Sequence, residues 1–132
     1  MSIELASPLP LSTEALVTRI IGCAIEVHRR VGPGFLEAIY EDALAIELEW
    51  CGMRFDRQRE IIITYRDRPL RPHRVDLVIE DQVIVEVKAV EALHSLHRAQ
   101  LISYLRATRL RVGLLINFNA KMIKGNFQRV VV

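Results

Sequence analysis

Apolar residues recur along this chain with two different periods. From about Ser12 to Arg30, Leu16, Ile20, Cys23, Ala24 and Val27 fall at three- and four-residue steps, which predicts a helix with one buried face. Val31-Gly-Pro-Gly34 ends it, because Pro33 disfavours helical geometry at Gly32. A second helix is predicted from about Gly34 to Trp50, with Gly52 beyond its end. Its inward stripe holds Glu37, Tyr40, Glu41, Leu44 and Leu48, so two acids share a side with core leucines. The period then shortens to two, predicting strands at roughly 54–65, 72–80 and 82–89, before a helix at about 94–108 and strands near 111–118 and 126–132. Residues 1–11, with Pro8 and Pro10, read as an extended lead-in, Ser12 as a candidate N-cap, and 12–132 as one domain. The order ααβββαβ(β) predicts an α/β fold with helices flanking a mixed sheet.

The segment Arg74-Val-Asp76-Leu-Val-Ile-Glu-Asp-Gln-Val-Ile-Val-Glu86-Val-Lys88 breaks the apolar pattern in an informative way. Charges inside a buried sheet cost several kcal/mol unless they are paired or bind a metal. A turn near Glu80-Asp81-Gln82 sets Asp76 opposite Glu86 on antiparallel strands, and alternation places Lys88 on the same face as Glu86. Two carboxylates and an ammonium at one end of a hairpin suit a hard divalent cation and a positioned water. The alternative is a salt-bridged hairpin at a sheet edge. Against it, Leu77, Ile79, Val83, Val85 and Val87 fill one face while Val78 and Ile84 continue the other as apolar surface, so both faces are expected to be covered. Lysine is also scarce, with only Lys88, Lys121 and Lys124, in a chain that otherwise uses arginine for surface charge.

These residues resemble the PD-(D/E)xK nuclease superfamily, whose sheet carries a D…ExK hairpin and whose preceding helix often adds a glutamate. Gly34-Phe-Leu-Glu37-Ala-Ile-Tyr40 further resembles the signature of the small GxxExxY proteins. Other blocks in the same order are similar to that family: Val31-Gly-Pro-Gly34, Glu86-Val-Lys88-Ala-Val-Glu91, His97-Arg-Ala-Gln100-Leu-Ile-Ser-Tyr104 and Asn117-Phe118-Asn119. The resemblance implies a restriction-endonuclease-like core with an extra N-terminal helix. It implies Mg²⁺ or Mn²⁺ held by Asp76, Glu86, the Val87 carbonyl and Glu37, with Lys88 orienting the attacking water. The expected activity is phosphodiester hydrolysis, on DNA in preference to RNA.

On the 94–108 helix, His97, Gln100 and Tyr104 fall at i, i+3 and i+7, beside Leu93, Leu101 and Thr108, with Arg98, Arg106 and Arg109 opposite. This puts polar groups on the side expected to be buried. Gln100 and Tyr104 resemble the Q-x-x-x-Y of RecB-like nucleases, where they support the metal site and the DNA strand. The alternative is a trio that bonds strand ends and stabilises packing. Arg98 departs from the family pattern, in which an acid commonly follows the histidine. Arg74, His97 and Arg98 are the expected nucleic-acid contacts.

Composition narrows the setting. Half of the 132 residues are apolar, which excludes a disordered tail, and no apolar run reaches the ~20 residues that span a bilayer. With no signal segment before Ser12, a cytoplasmic protein is expected. Cys23 and Cys51 lack CxxC spacing and are expected as reduced core hydrophobes. A net charge of +2 is uninformative, whereas seven arginines between Arg54 and Arg74 and a second group at Arg98, Arg106, Arg109 and Arg111 are not. They suit phosphate neutralisation beside the hairpin or, equally, an ordinary solvated face. His28 lies off the apolar stripe and is expected at a surface or helix end, while Trp50, Phe55 and Tyr65 are expected in the core or at its rim. Two alternatives to a nuclease acting as one chain stay open: a binding module that grips nucleic acid without cutting, and a homodimeric junction-resolving nuclease.

Overall fold

The computed structural model describes residues 8–132. The first seven residues of the expected lead-in lie outside them. Two helices, α1 (Leu11–Val31) and α2 (Glu37–Trp50), precede β1 (Phe55–Ile61), a short hairpin of β2 (Thr64–Tyr65) and β3 (Arg68–Pro69), then β4 (His73–Ile79) and β5 (Val83–Lys88). The chain continues through α3 (Ser95–Thr108), β6 (Val112–Asn117) and β7 (Phe127–Val131). The main sheet has the order β1-β4-β5-β6-β7, antiparallel except for the parallel β5–β6 pair that α3 connects. This is the expected α/β architecture, a mixed sheet flanked by helices.

Both faces of the sheet are covered, as the apolar runs require. Leu16, Ile20, Tyr40, Leu44 and Leu48 of α1 and α2 pack on Leu77, Ile79, Val83, Val85 and Val87. On the opposite face, Leu101, Tyr104 and Leu105 of α3 pack on Val75, Val78, Ile84 and Leu115. The second contact is close: a Cβ added at Gly113 would lie 2.7 Å from Leu101 Cδ1. Central β5 is therefore sealed on both sides, and Glu86 sits in it.

Several expectations change. α1 begins at Leu11 with Pro10 at the cap position and no side-chain cap, so Ser12 lies inside the first turn; the fixed φ of proline already suits helix entry. The long strand expected at 54–65 divides at Ile62 and Ile63, and β2 pairs instead with β3 across a turn in which Arg66 and Asp67 both adopt left-handed φ. His28 is buried, with Nε2 2.6 Å from the Ala120 carbonyl oxygen. A wheel drawn from apolar residues alone omits a histidine whose partner lies 92 positions away. Trp50 is 86% exposed and Cys51 is exposed at the end of α2, where the Cys51 carbonyl accepts a hydrogen bond from Arg19 of α1 at 2.7 Å. Among the described residues no helix is long and apolar enough to cross a membrane.

The α1–α2 connection is held by one side chain. Gly32 and Gly34 take φ of 75° and 107°, conformations that side chains other than glycine resist. The Tyr40 hydroxyl donates to the Gly32 carbonyl at 2.6 Å and accepts the Phe35 N–H at 3.1 Å, while its ring stacks on Phe118 at 4.7 Å. One turn upstream of Tyr40, α2 begins at Glu37. Replacing Tyr40 with Phe keeps the stack and removes both bonds, which costs about 1–2 kcal/mol. Thermal unfolding should show Tm lowered by several degrees; an unchanged Tm would assign the connection to ring stacking alone.

Candidate active site

The β4–β5 ladder runs from Ile79↔Val83 to Leu77↔Val85 and then stops. Continued by one step, this register opposes Asp76 and Glu86. Beyond that point β4 remains paired to β1 as far as His73, and β5 to β6 as far as Lys88, so the two strands part company. The Asp76 carboxylate fills the gap, with Oδ2 accepting the Val87 N–H at 2.8 Å. A strand N–H points in the plane of the sheet, so this carboxylate replaces a missing ladder carbonyl.

Glu86 stands beside it and is only 6% exposed. Its Oε1 is buried and has no hydrogen-bond partner among the described residues. Burial, reinforced by the adjoining Asp76 charge, pushes its carboxyl up to about 8, against a smaller opposing effect of Lys88. At neutral pH the Glu86 carboxyl therefore holds its proton. A cation can take the place of that proton.

Glu37, Ala38, Glu41, Gln58, Asp76 and Val87 line an open cavity of about 390 Å³ at the parting strands. Glu37 and Asp76 thus meet at one solvent-reachable space. Glu86 and Lys88 are not among its lining residues: Glu86 is buried next to Asp76, and Lys88 is half-buried within electrostatic reach of Glu86 and His97. Among the described residues no three His, Cys, Asp or Glu side chains converge as a metal-binding group, so exposed Glu37 stands apart from the Asp76–Glu86 pair. Two oxygen-donor side chains with one orphaned carboxylate oxygen nevertheless fit magnesium or manganese, which bind through one or two carboxylates and keep several waters. Asp76 and Glu86 would hold the ion, and Glu37 would act through water.

α3 presents its residues unequally. Tyr104 is buried, its hydroxyl 3.2 Å from His73 Nδ1, and burial followed by the Glu86 and Asp76 charges raises its pKa. His97 is partly buried; its Nδ1 accepts the His94 N–H at 3.1 Å, and burial followed by the Lys88 charge lowers its pKa. Gln100 is exposed and its side chain makes no hydrogen bond among the described residues, contrary to its expected place on the buried side. The helix docks through Leu101, Tyr104 and Leu105, and that stripe leaves position 100 at its margin.

The arginines divide into tied and untied groups. Arg54 pairs with Glu80, Arg57 with Glu41 and Asp42, Arg59 with Asp56 and Asp81, and Arg74 approaches Glu60 at 3.8 Å. Exposed Arg98 has no such partner among the described residues. Four of the seven arginines between Arg54 and Arg74 are therefore engaged in ion pairs within the chain.

Sequence reasoning missed three groups. Glu41 is buried at the cavity and Gln58 bonds it, yet in the sequence one is a stripe position and the other an unremarkable polar residue. Asn117 is buried, accepts the Val90 N–H at 3.1 Å and donates to the Val90 carbonyl at 2.9 Å, pinning the segment after Lys88. Its place at the end of an apolar strand was the available signal, but a turn explained it equally well.

Burial of Glu86 has a measurable consequence. Its carboxyl titrates near the ordinary 4.5 when unfolded and at about 8 when folded. Between those values the folded state holds the extra proton, so stability of the metal-free protein falls as pH rises and levels off above about 8. Glu86→Gln should flatten this slope and raise the metal-free Tm at pH 8.5 by roughly 5 °C or more. Parallel Tm–pH curves for parent and variant would refute a buried, protonated Glu86.

The PD-(D/E)XK nuclease superfamily model matches residues 14–130. No curated protein and no solved structure gives a significant match. The matched segment takes in most of α1, all of α2, the main sheet but for the last residue of β7, and the Asp76–Glu86–Lys88 hairpin. By this match, and with a five-stranded mixed sheet flanked by helices, the chain belongs to the PD-(D/E)XK nuclease superfamily.

Proposed function

We propose that this protein is a cytoplasmic nuclease of the GxxExxY type that uses Mg²⁺ or Mn²⁺ to hydrolyse phosphodiester bonds of DNA. The observation that carries the reading is the buried Glu86 carboxylate, with an orphaned oxygen, adjoining Asp76 at the mouth of an open cavity. A group so costly to ionise without a counter-charge is poor as a structural element and apt as a cation ligand. When bound, the ion acidifies a water and neutralises charge developing on the phosphoryl oxygens.

The chain's own residues then have distinct tasks. Asp76, Glu86 and the Val87 carbonyl would hold the ion, and Glu37, across the cavity, would orient water toward the scissile phosphorus. Lys88 lies within the field of Glu86 and donates to the attacking water or a phosphoryl oxygen, as a compact ammonium can from several directions. Tyr104 steadies the site from beneath through its hydroxyl. Arg74, Arg98 and Gln100 are exposed and His97 partly exposed, and in this reading they contact the strand through phosphate oxygens. A homodimer, giving a small domain a second grip on a duplex, belongs to the same proposal and is read from sedimentation mass with and without DNA.

Labelled DNA and RNA panels incubated with Mg²⁺, Mn²⁺ or EDTA test the reading. The parent should cut DNA only with a divalent ion, and Lys88→Ala and Glu86→Gln should each lower the rate at least roughly 100-fold while leaving binding detectable, since affinity comes mainly from phosphate contacts. Binding without cleavage under any ion would point to a binding module. Neither binding nor cleavage at low salt would overturn the nuclease reading.

Tyr104→Phe gives a finer test. It removes one hydroxyl contact worth about 0.5–1.5 kcal/mol and keeps the ring in its packing. Turnover should fall more than stability does. Unchanged turnover would assign Tyr104 to packing.

A further inference from the structure

The β1–β4 ladder pairs Phe55↔Ile79 through Ile61↔His73 and skips one step, where Gln58 faces Asp76. Gln58 there has φ of 53°, a left-handed conformation in the middle of a strand on a residue other than glycine. On β4 the alternation also breaks at this step: Val75 joins the core beneath α3, while Leu77 joins the core beneath α1 and α2. Such a conformation persists only where its surroundings hold it in place.

The Gln58 amide shows what holds it. Its Nε2 donates to Glu41 Oε1 at 2.6 Å and to Asp76 Oδ1 at 3.3 Å. Glu41 is itself buried and anchored through Oε2 to Arg57 at 2.7 Å. Asp76 is consequently gripped at both oxygens, by Gln58 at Oδ1 and by the Val87 N–H at Oδ2. An irregular strand position thus yields a chain of contacts, Arg57 to Glu41 to Gln58 to Asp76, along one wall of the cavity.

We infer that Gln58 is a positioning residue: its amide, turned inward by the left-handed backbone, separates the Glu41 and Asp76 carboxylates and fixes the rotamer in which Asp76 offers itself to the divalent cation. The inference rests on Asp76 being a cation ligand, as proposed above. A regular β conformation at residue 58 would bond β1 to β4 but would point the amide elsewhere. The site gains orientation where the strand loses regularity.

Glycine separates positioning from architecture. Gln58→Gly accepts the backbone conformation without strain and deletes the amide, whereas Gln58→Met keeps the length of the side chain and deletes the donor. Mn²⁺ alone is the probe, with affinity read by electron paramagnetic resonance titration and folding by Tm. Both variants should bind Mn²⁺ roughly 10-fold more weakly or worse, and Gln58→Gly should have a Tm no lower than the parent. Parental Mn²⁺ affinity in both variants, with binding abolished in Asp76→Asn, would overturn the positioning role and leave the site reading standing. A parent that binds no Mn²⁺ at millimolar concentration, or an Asp76→Asn variant that binds it unchanged, would overturn both.

Discussion

A carboxylate in the central strand of a sheet covered on both faces constrains everything around it. Glu86 has Val85 and Val87 as strand neighbours and the α3 core on its own side. Its ionised form is costly there, and the adjoining Asp76 makes it costlier. Neutrality can come from a proton or a metal ion. The sheet accommodates the pair by ending the β4–β5 ladder at Leu77↔Val85, so the same discontinuity that admits Asp76 opens the cavity beside it.

The elements around this gap are tied to it by contacts distant in sequence. Tyr40 closes the α1–α2 connection and stacks on Phe118, which follows β6. Asn117, one residue earlier, clamps Val90, so the chain leaving Lys88 and the ring supporting α2 share one anchorage. Glu37 at the start of α2 and Lys88 at the end of β5 are thereby referred to the same end of β6. Such an arrangement suits a site that must place groups from different elements within a fraction of an ångström.

Charge is distributed in a way that net charge conceals. Arg54, Arg57 and Arg59 pair with acids of α2 and of the β4–β5 turn, and Arg57 in particular carries the anchored Glu41. Exposed ion pairs contribute little stability individually. Arg57 with buried Glu41 differs, because it sets one wall of the cavity instead of decorating a surface.

The two periods of apolar residues by themselves determined the element order, the coverage of both sheet faces and the register that opposes Asp76 and Glu86, because burial pattern and strand alternation are local properties of the chain. The GxxExxY and D…ExK blocks likewise identified Glu37, Tyr40, Asp76, Glu86 and Lys88 as the residues to examine. Helix margins were less legible: Gln100 was placed with Tyr104, but docking through Leu101 and Leu105 turned it outward. The burial of His28, the detached β2–β3 hairpin and the exposure of Trp50 depended on which surfaces other elements happened to cover. The Glu41–Gln58–Asp76 bridge was decided only in three dimensions, since its members lie on α2, β1 and β4 and meet where a ladder position is skipped. A sequence records which residues are apolar and how they are spaced; where a strand leaves its ladder, and what then reaches into the gap, depends on the balance of contacts from every element packed around it.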